Sequence, residues 1–348
     1  MKTIRKVAFL TAKEKIEFSA LPMPAVGRGE VLLRMKSVGV CGSDVAYFRS
    51  GRTGVGEIKF PHILGHECAG IVEAVGEGVS NLQVGDRITT EPGFFCGKCE
   101  MCTSGRYNLC SNMSFMGSAV ADAYGEGALV EYSLRPAHLC FKLPDNVCFA
   151  DGAMVEPFAV ALHAIRTAGI GAGQRAAILG SGPIGACILL VLKCLGIHDV
   201  FMTDVVPSRL HTMEALGARP LNVDGLDEAA LSTSMPENYL DAVFDTTCSE
   251  IAINAAMRWL KKGGSIVQVG VPVGKRSIDL QTLFNKGIRL LPTFRYANAY
   301  PPLLQLMKSG ALKADKIITH HFHFSQAQRA LELAASRADG VMKVLIDF

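Results

Sequence analysis

Two patterns of apolar and polar positions divide the chain. Up to about residue 155 the apolar runs are short, alternate with polar positions and are broken by glycine at close intervals, as in "EVLLRMKSVGV" (30–40) and "AGIVEAVGEGV" (69–79). That pattern predicts a β-rich region. From about residue 157 it changes. "RAAILGSGPIGACILLVLKCLG" (175–196) reads as a buried strand, a glycine turn and an apolar helix. "DVFMTDV", "DAVFDTT" and "GSIVQVGV" follow as short β-branched runs between helical stretches. "SEIAINAAMRWLKKGG" (249–264) is one such helix, expected to end at its glycines. Strands alternating with helices predict βαβ units and a parallel sheet. From about 297 the character is mixed again and closes on a strand, "MKVLIDF". Segment 91–118, rich in Gly, Cys and Asn, reads as a loop.

Composition changes this picture only where it excludes something. At 348 residues the chain exceeds the usual size of one hydrophobic core, so two domains are expected. A net charge of +3 without blocks of like charge gives no footprint for nucleic acid or a membrane surface. The apolar run within "MKTIRKVAFLT" is too short for a signal peptide, and the run 186–195 is interrupted by Lys193 and too short to span a bilayer. A cytoplasmic location is therefore expected. With 11 cysteines, an odd number, and no export signal, a disulfide framework is not expected.

Four of those cysteines crowd together. "CGKCEMCTSGRYNLC" places Cys96, Cys99, Cys102 and Cys110 in a C-x2-C-x2-C-x7-C spacing. Four adjacent thiolates suit a closed tetrahedral zinc site, which holds a loop in shape and leaves no position for chemistry. An iron–sulfur cluster is the competing occupant, but Ser111 follows the last cysteine where cluster-binding runs carry proline. Chance thiols fit poorly, because the loop offers little apolar surface to bury them.

Gly180-Ser181-Gly182-Pro183-Ile184-Gly185 fits G-x-G-x-x-G. It follows a strand, opens a helix and precedes Asp204 at the end of the next strand. In that context the glycines serve the tight turn (Gly180), the approach of a pyrophosphate (Gly182) and close strand–helix packing (Gly185). The helix N-terminus then faces the phosphates. Asp204 is placed to accept hydrogen bonds from an adenosine ribose and to repel a 2′-phosphate, which favours NAD over NADP. Arg209 tempers that preference. "FPHILGHECAG" (60–70) sets His66 beside Glu67, either as a polar turn before a strand or as two metal ligands. With Cys41 of "GVCGSD" they make a sulfur, nitrogen and oxygen set, and three protein ligands with an open fourth position mark a catalytic zinc site. Each residue alone is more often structural. His320, His321 and His323 lack a cysteine or carboxylate partner nearby and read as structural.

The ordered set GVCGSD (39–44), GHE (65–67), the four-cysteine loop, "MVEPFAVALHA" (154–164) and the fingerprint at 180–185 resembles the zinc-dependent medium-chain alcohol dehydrogenases over essentially the whole chain. Tyr47 in "CGSDVAYF", Glu156 in "VEP", and Arg295 and Tyr296 in "FRYAN" resemble the sorbitol (polyol) dehydrogenase branch.

The resemblance implies an α/β fold: a GroES-like β-rich catalytic domain (1–156 and 297–348) and a Rossmann doubly wound parallel-sheet coenzyme domain (157–296). It implies two zinc ions per chain. Cys41, His66 and Glu67 would hold the catalytic one, with Glu156 ligating directly or holding its water. His66 and Glu67 would then stand on a bent loop, since neighbours in a regular strand face opposite sides. Tyr47, Glu156, Arg295 and Tyr296 would contact substrate hydroxyls. Gly180, Gly182, Pro183, Ile184, Gly185, Asp204, Arg209, Val269, Gly270, Val271, Thr293, Phe294 and Arg295 would line NAD. Ser43 would begin the proton path. Ala46 stands where many relatives place a histidine relay, and Cys248 where relatives often have glycine.

The implied activity is NAD-dependent oxidation of a polyol's secondary alcohol to a ketose by a homodimer or homotetramer. Alternatives are a sugar-acid (idonate- or galactonate-type), sugar-phosphate or threonine dehydrogenase of the same family, or a non-catalytic dinucleotide sensor.

Overall fold

The computed structural model describes residues 3–120, 125–336, 338 and 340–348. It divides into two compact units, Met1–Glu156 with Tyr300–Phe348, and Pro157–Ala299. The chain re-enters the first unit at Tyr300, where the sequence pattern placed the return at 297.

In the first unit a seven-stranded sheet runs Cys140–Lys142, Arg87–Thr90, Glu67–Val75, Glu30–Gly39, Lys343–Asp347, Ile318–His323. All of these neighbours are antiparallel except the last two. The central strand Glu30–Gly39 organises the unit. One edge pairs with Glu67–Val75 along its length. The other is shared by Tyr132–Pro136, opposite Glu30 to Arg34, and Lys343–Asp347, opposite Ser37 to Gly39. Three segments remote in sequence therefore converge at Gly39. Leu33, Met35, Val38, Val72, Ile88, Val344 and Ile346 form the core with Phe48 and Leu331 from helices Gly42–Ser50 and Ala327–Ser336. Each such side chain, fully buried, contributes about 1.5–3 kcal/mol.

The second unit is a six-stranded parallel sheet in the order Arg219–Asn222, Asp199–Asp204, Arg175–Leu179, Leu240–Asp245, Leu260–Gln268, Arg289–Pro292. This is the doubly wound order whose direction reverses beside the first strand, Arg175–Leu179. Ala176 to Leu179 are wholly buried, as a strand covered on both faces requires. Trp259 anchors the core here with Leu240, Val243 and Ile266, its indole N–H donating to Ser232 O at 3.1 Å.

One element differs from the sequence pattern. The helix expected over 249–264 ends at Trp259, and Leu260 turns extended to begin the strand Leu260–Gln268. Leu260 pairs with Leu240, and the register then shifts before Ser265 meets Ala242. "KKGG" lies in that irregular strand start, where Gly263 takes φ +76°. Burying Trp259 and Leu260, and pairing Leu260 with Leu240, outweighs the local helical signal of the two lysines.

Candidate active site

In the first unit, Cys41, His66 and Glu67 come together. One ligand atom from each lies within 4.8 Å of the others. Cys41 precedes the helix Gly42–Ser50 as its N-cap residue. His66 leaves an irregular stretch after Gly65, which takes φ +94°, and Glu67 is the first residue of its strand, paired with Gly39. The expected bent loop is thus a loop-to-strand junction: the bend before His66, not an entirely irregular pair, lets neighbours face one point.

Asp44 ties these segments together. Its Oδ2 accepts from Cys41 N at 2.9 Å and its Oδ1 from Gly65 N at 3.0 Å, and Oδ1 also faces His66 Nδ1 at 3.7 Å. Sequence reasoning missed this residue. The available signal was its place three residues after Cys41, where an acidic side chain reaches back to the N-cap amide. Burial raises the Asp44 carboxyl above the usual carboxylate range, although His66 and the two amides pull the other way. Burial alone would lower the His66 pKa; Asp44, Cys41 and Glu156 outweigh it and raise the imidazole well above its ordinary value. The surroundings therefore call for positive charge.

Glu67 is fully buried, and its Oε1 has no hydrogen-bond partner among the described residues. An unsatisfied buried carboxylate oxygen beside a thiol and an imidazole suits a divalent metal with mixed S, N and O preference, zinc above all. Glu156, buried in the first turn of the helix Val155–Ala168, acts on His66 electrostatically but stands outside the 4.8 Å group. Ser43 is half-buried on the helix after Cys41. The Tyr47 hydroxyl accepts from Ala119 N at 3.0 Å and from Thr53 Oγ1 at 3.1 Å, within a nearly closed environment.

The four-cysteine loop folds around a short helix, Glu100–Thr103, and brings all four sulfurs within 4.8 Å. Sulfur separations of 3.5 Å (Cys99–Cys102), 3.6 Å (Cys96–Cys110) and 4.0 Å (Cys96–Cys102) exclude disulfides. They match the roughly 3.8 Å edge of a tetrahedron with metal–sulfur bonds of about 2.3 Å. Backbone N–H groups of Lys98 and Cys99 lower the Cys96 thiol to about 6, so it is readily a thiolate.

In the second unit the fingerprint takes the expected form. Gly180 has φ +98°, and a Cβ there would meet Thr246 Oγ1 at 2.5 Å. At Gly185 a Cβ would overlap Gly180 O. Gly182 faces open space, and the helix Pro183–Cys194 starts with no side-chain cap, leaving its first amides for a ligand's phosphate. These features fit a dinucleotide. Asp204 accepts from Ser181 N at 2.8 Å and Val206 N at 3.0 Å, which fixes its carboxylate at the strand end. Arg209 is half-buried in the following helix, Pro207–Ala215.

Val269 and Gly270 both donate to Asp245 O, at 2.8 and 2.9 Å, and Val271 is exposed. Thr293 N donates to Gln268 O at 3.0 Å, while its buried Oγ1 has no hydrogen-bond partner among the described residues. Arg295 takes φ +57° and lays its guanidinium over the exposed Phe294 ring at 4.8 Å; Tyr296 is buried. Cys248 is another left-handed residue, at φ +60°, and Gln268 Nε2 contacts its sulfur at 3.4 Å. The histidines at 320–323 lie on a strand, where, against the expectation of no carboxylate partner, His321 Nδ1 meets Asp347 Oδ2 of the neighbouring strand at 2.7 Å.

A sulfur–nitrogen–oxygen metal pocket, a four-thiolate loop and a dinucleotide fold in one chain define a metal-dependent oxidoreductase. Two family models match, an alcohol dehydrogenase GroES-like domain over residues 27–145 and a zinc-binding dehydrogenase over residues 183–309. The chain belongs to the zinc-dependent medium-chain alcohol dehydrogenases, in their sorbitol-dehydrogenase-like branch. It is 36% identical to an L-idonate 5-dehydrogenase of Vitis vinifera, covering 98% of this chain and 94% of that protein. It is 34% identical to a sorbitol dehydrogenase of Bacillus subtilis (strain 168), covering 98% and 96%. An alcohol dehydrogenase of Escherichia coli CFT073, solved in complex with NADH, superposes with a TM-score of 0.90 at 27% identity, with all of both chains covered. No helix among the described residues is long and apolar enough to cross a membrane.

Proposed function

We propose that this enzyme is an NAD-dependent zinc polyol dehydrogenase that oxidises a secondary alcohol of a sorbitol- or xylitol-like polyol to a ketose, with two zinc ions per chain. The observation that carries this reading is the Cys41–His66–Glu67 set, half-buried at Cys41 and buried at His66 and Glu67, with its unsatisfied carboxylate oxygen, in a chain that aligns with sorbitol dehydrogenases across nearly its whole length. Zinc supplies a Lewis acid that acidifies the substrate hydroxyl, and NAD accepts the hydride.

Cys41, His66 and Glu67 hold the catalytic ion, and Cys96, Cys99, Cys102 and Cys110 hold the structural one. Asp44 keeps the two ligand-bearing segments in register. Ser43 accepts a hydrogen bond from the substrate hydroxyl and relays its proton by passing its own to the active-site water, which Glu156 holds, since Ala46 offers no side chain for that step. Tyr47, Glu156, Arg295 and Tyr296 bind the remaining hydroxyls. The amides after Gly182 bind the pyrophosphate, and Asp204 binds the adenosine ribose and selects NAD. Ile184, Arg209, Val269 to Val271 and Thr293 to Arg295 line the rest of the coenzyme. The enzyme works as a cytoplasmic homodimer or homotetramer.

A second reading is favoured by the Vitis vinifera relative and by Arg295, whose guanidinium pairs with a sugar-acid carboxylate as well as with hydroxyls. The deciding experiment follows NADH formation over polyols, sugar acids and threonine, with and without a strong chelator. Chelator-sensitive turnover of a polyol supports the proposal. Turnover of a sugar acid alone moves the enzyme to the second reading, and NADH formation indifferent to metal removal refutes both.

A further inference from the structure

The first unit buries a cation that the reaction as described does not use. Lys343 opens the strand Lys343–Asp347 and is 2% exposed. Its Nζ donates to Val40 O at 3.0 Å and forms an ion pair with Glu67 Oε2. The sheet register makes this meeting possible. Gly39 pairs with Glu67 on one side and Leu345 on the other, so the two strands deliver Glu67 and Lys343 to the same place. The glycine itself is required: a Cβ at position 39 would overlap Glu67 Oε2 and come within 3.1 Å of Lys343 Cε. Glu67 thus uses one oxygen for Lys343, while Oε1 has no hydrogen-bond partner among the described residues.

Stability alone is a poor reason for this arrangement. A buried ion pair commonly does no better than well-packed apolar residues of the same volume. Its location points elsewhere, because the carboxylate that Lys343 engages is a member of the metal-binding set. A carboxylate free at both oxygens is able to chelate a metal and raise its coordination number. One with an oxygen held by an ammonium offers a single, weakened donor, which an incoming hydroxyl or water displaces more easily.

We propose that Lys343 is a positioning residue of the metal site, holding Glu67 Oε2 so that only Oε1 is presented to the ion. This rests on the reading of Cys41, His66 and Glu67 as zinc ligands. The test replaces zinc with cobalt(II) in the full-length enzyme and records the visible absorption of the Cys41 site as the difference from Cys41→Ser. Four-coordinate cobalt absorbs severalfold more strongly than higher-coordinate cobalt.

Lys343→Met is expected to keep its cobalt but lose at least half of that band intensity, with kcat falling roughly 10- to 100-fold. Lys343→Arg is expected to retain the parent spectrum and most of kcat. Gly39→Ala reaches the same oxygen while leaving the lysine in place, and serves if Lys343→Met does not fold; it too is expected to weaken the band. A parent-like spectrum in Lys343→Met or Gly39→Ala, at equal cobalt content, overturns the proposal. Equal cobalt content and spectra in the parent and Cys41→Ser would instead refute the underlying metal-site reading.

Discussion

Removing the Asp44 carboxylate tests the idea that one buried side chain holds two distant ligand segments together. In Asp44→Ala two backbone donors, Cys41 N and Gly65 N, lose their acceptor in a site closed to water. A hydrogen bond to a charged group contributes about 1.5–3 kcal/mol. The two bonds together are therefore worth about 3–6 kcal/mol, before any relaxation that lets water in. Each amide should lose local protection corresponding to its own bond, a factor of about 10 to 100 in opening equilibrium.

Native-state hydrogen exchange read by mass spectrometry, on peptides covering 39–46 and 63–67 of the metal-free protein, measures this directly. Asp44→Asn keeps one carbonyl acceptor, so one of the two segments should stay protected. Unchanged exchange of both segments in Asp44→Ala would refute the reasoning, because the distances would then carry no energy. The sole tryptophan, Trp259, lies in the second unit and should report no change.

Other perturbations read other parts of the account. Glu91 is buried and its carboxyl is pushed up to about 7, chiefly by burial, with the Tyr107 hydroxyl at 3.2 Å working the other way. Because the folded pKa lies above the ordinary 4.5, the native state holds a proton that the unfolded chain releases first. Stability should fall as pH rises from about 4.5 to 7, by roughly 3 kcal/mol from this group, and Glu91→Gln should flatten that slope in urea unfolding. In the second unit, Asp204→Ala removes the acceptor of Ser181 N and the carboxylate proposed to bind the ribose. It should raise the KM for NAD about 10- to 100-fold and narrow the preference over NADP, as steady-state kinetics with each coenzyme would show. Cys99→Ser should lose the structural ion and lower the unfolding temperature of the first unit, with the Trp259 environment unchanged below the transition.

What was legible in the sequence was local. The four cysteines lie within fifteen residues and the glycine fingerprint within six, so spacing carries their chemistry, whereas the adjacent His66 and Glu67 read as metal ligands only through the ordered motifs of the family resemblance. Alternating strands and helices likewise announce the parallel sheet, because each element is written in its own few residues. The unread parts depend on register between remote strands. Lys343 meets Val40 across 303 residues, and nothing near "MKVLIDF" signals a buried ammonium. Asp44 was visible only as a small acidic residue in a helix's first turn, a position that acidic residues occupy for many reasons. The end of the helix at Trp259 was misread because the glycines beyond it looked like a cap. Burial of Trp259 and Leu260 decides that boundary, and burial is a property of the whole unit.

The most direct test of the central claim is zinc content measured together with NADH formation from a polyol, in the parent enzyme and in Cys41→Ser. The account predicts two zinc ions per chain and chelator-sensitive NADH formation in the parent. In Cys41→Ser it predicts one zinc and activity lost by several orders of magnitude, with the fold kept. Undiminished NADH formation in Cys41→Ser, or a parent enzyme that binds only the four-cysteine zinc and still turns over, would contradict it.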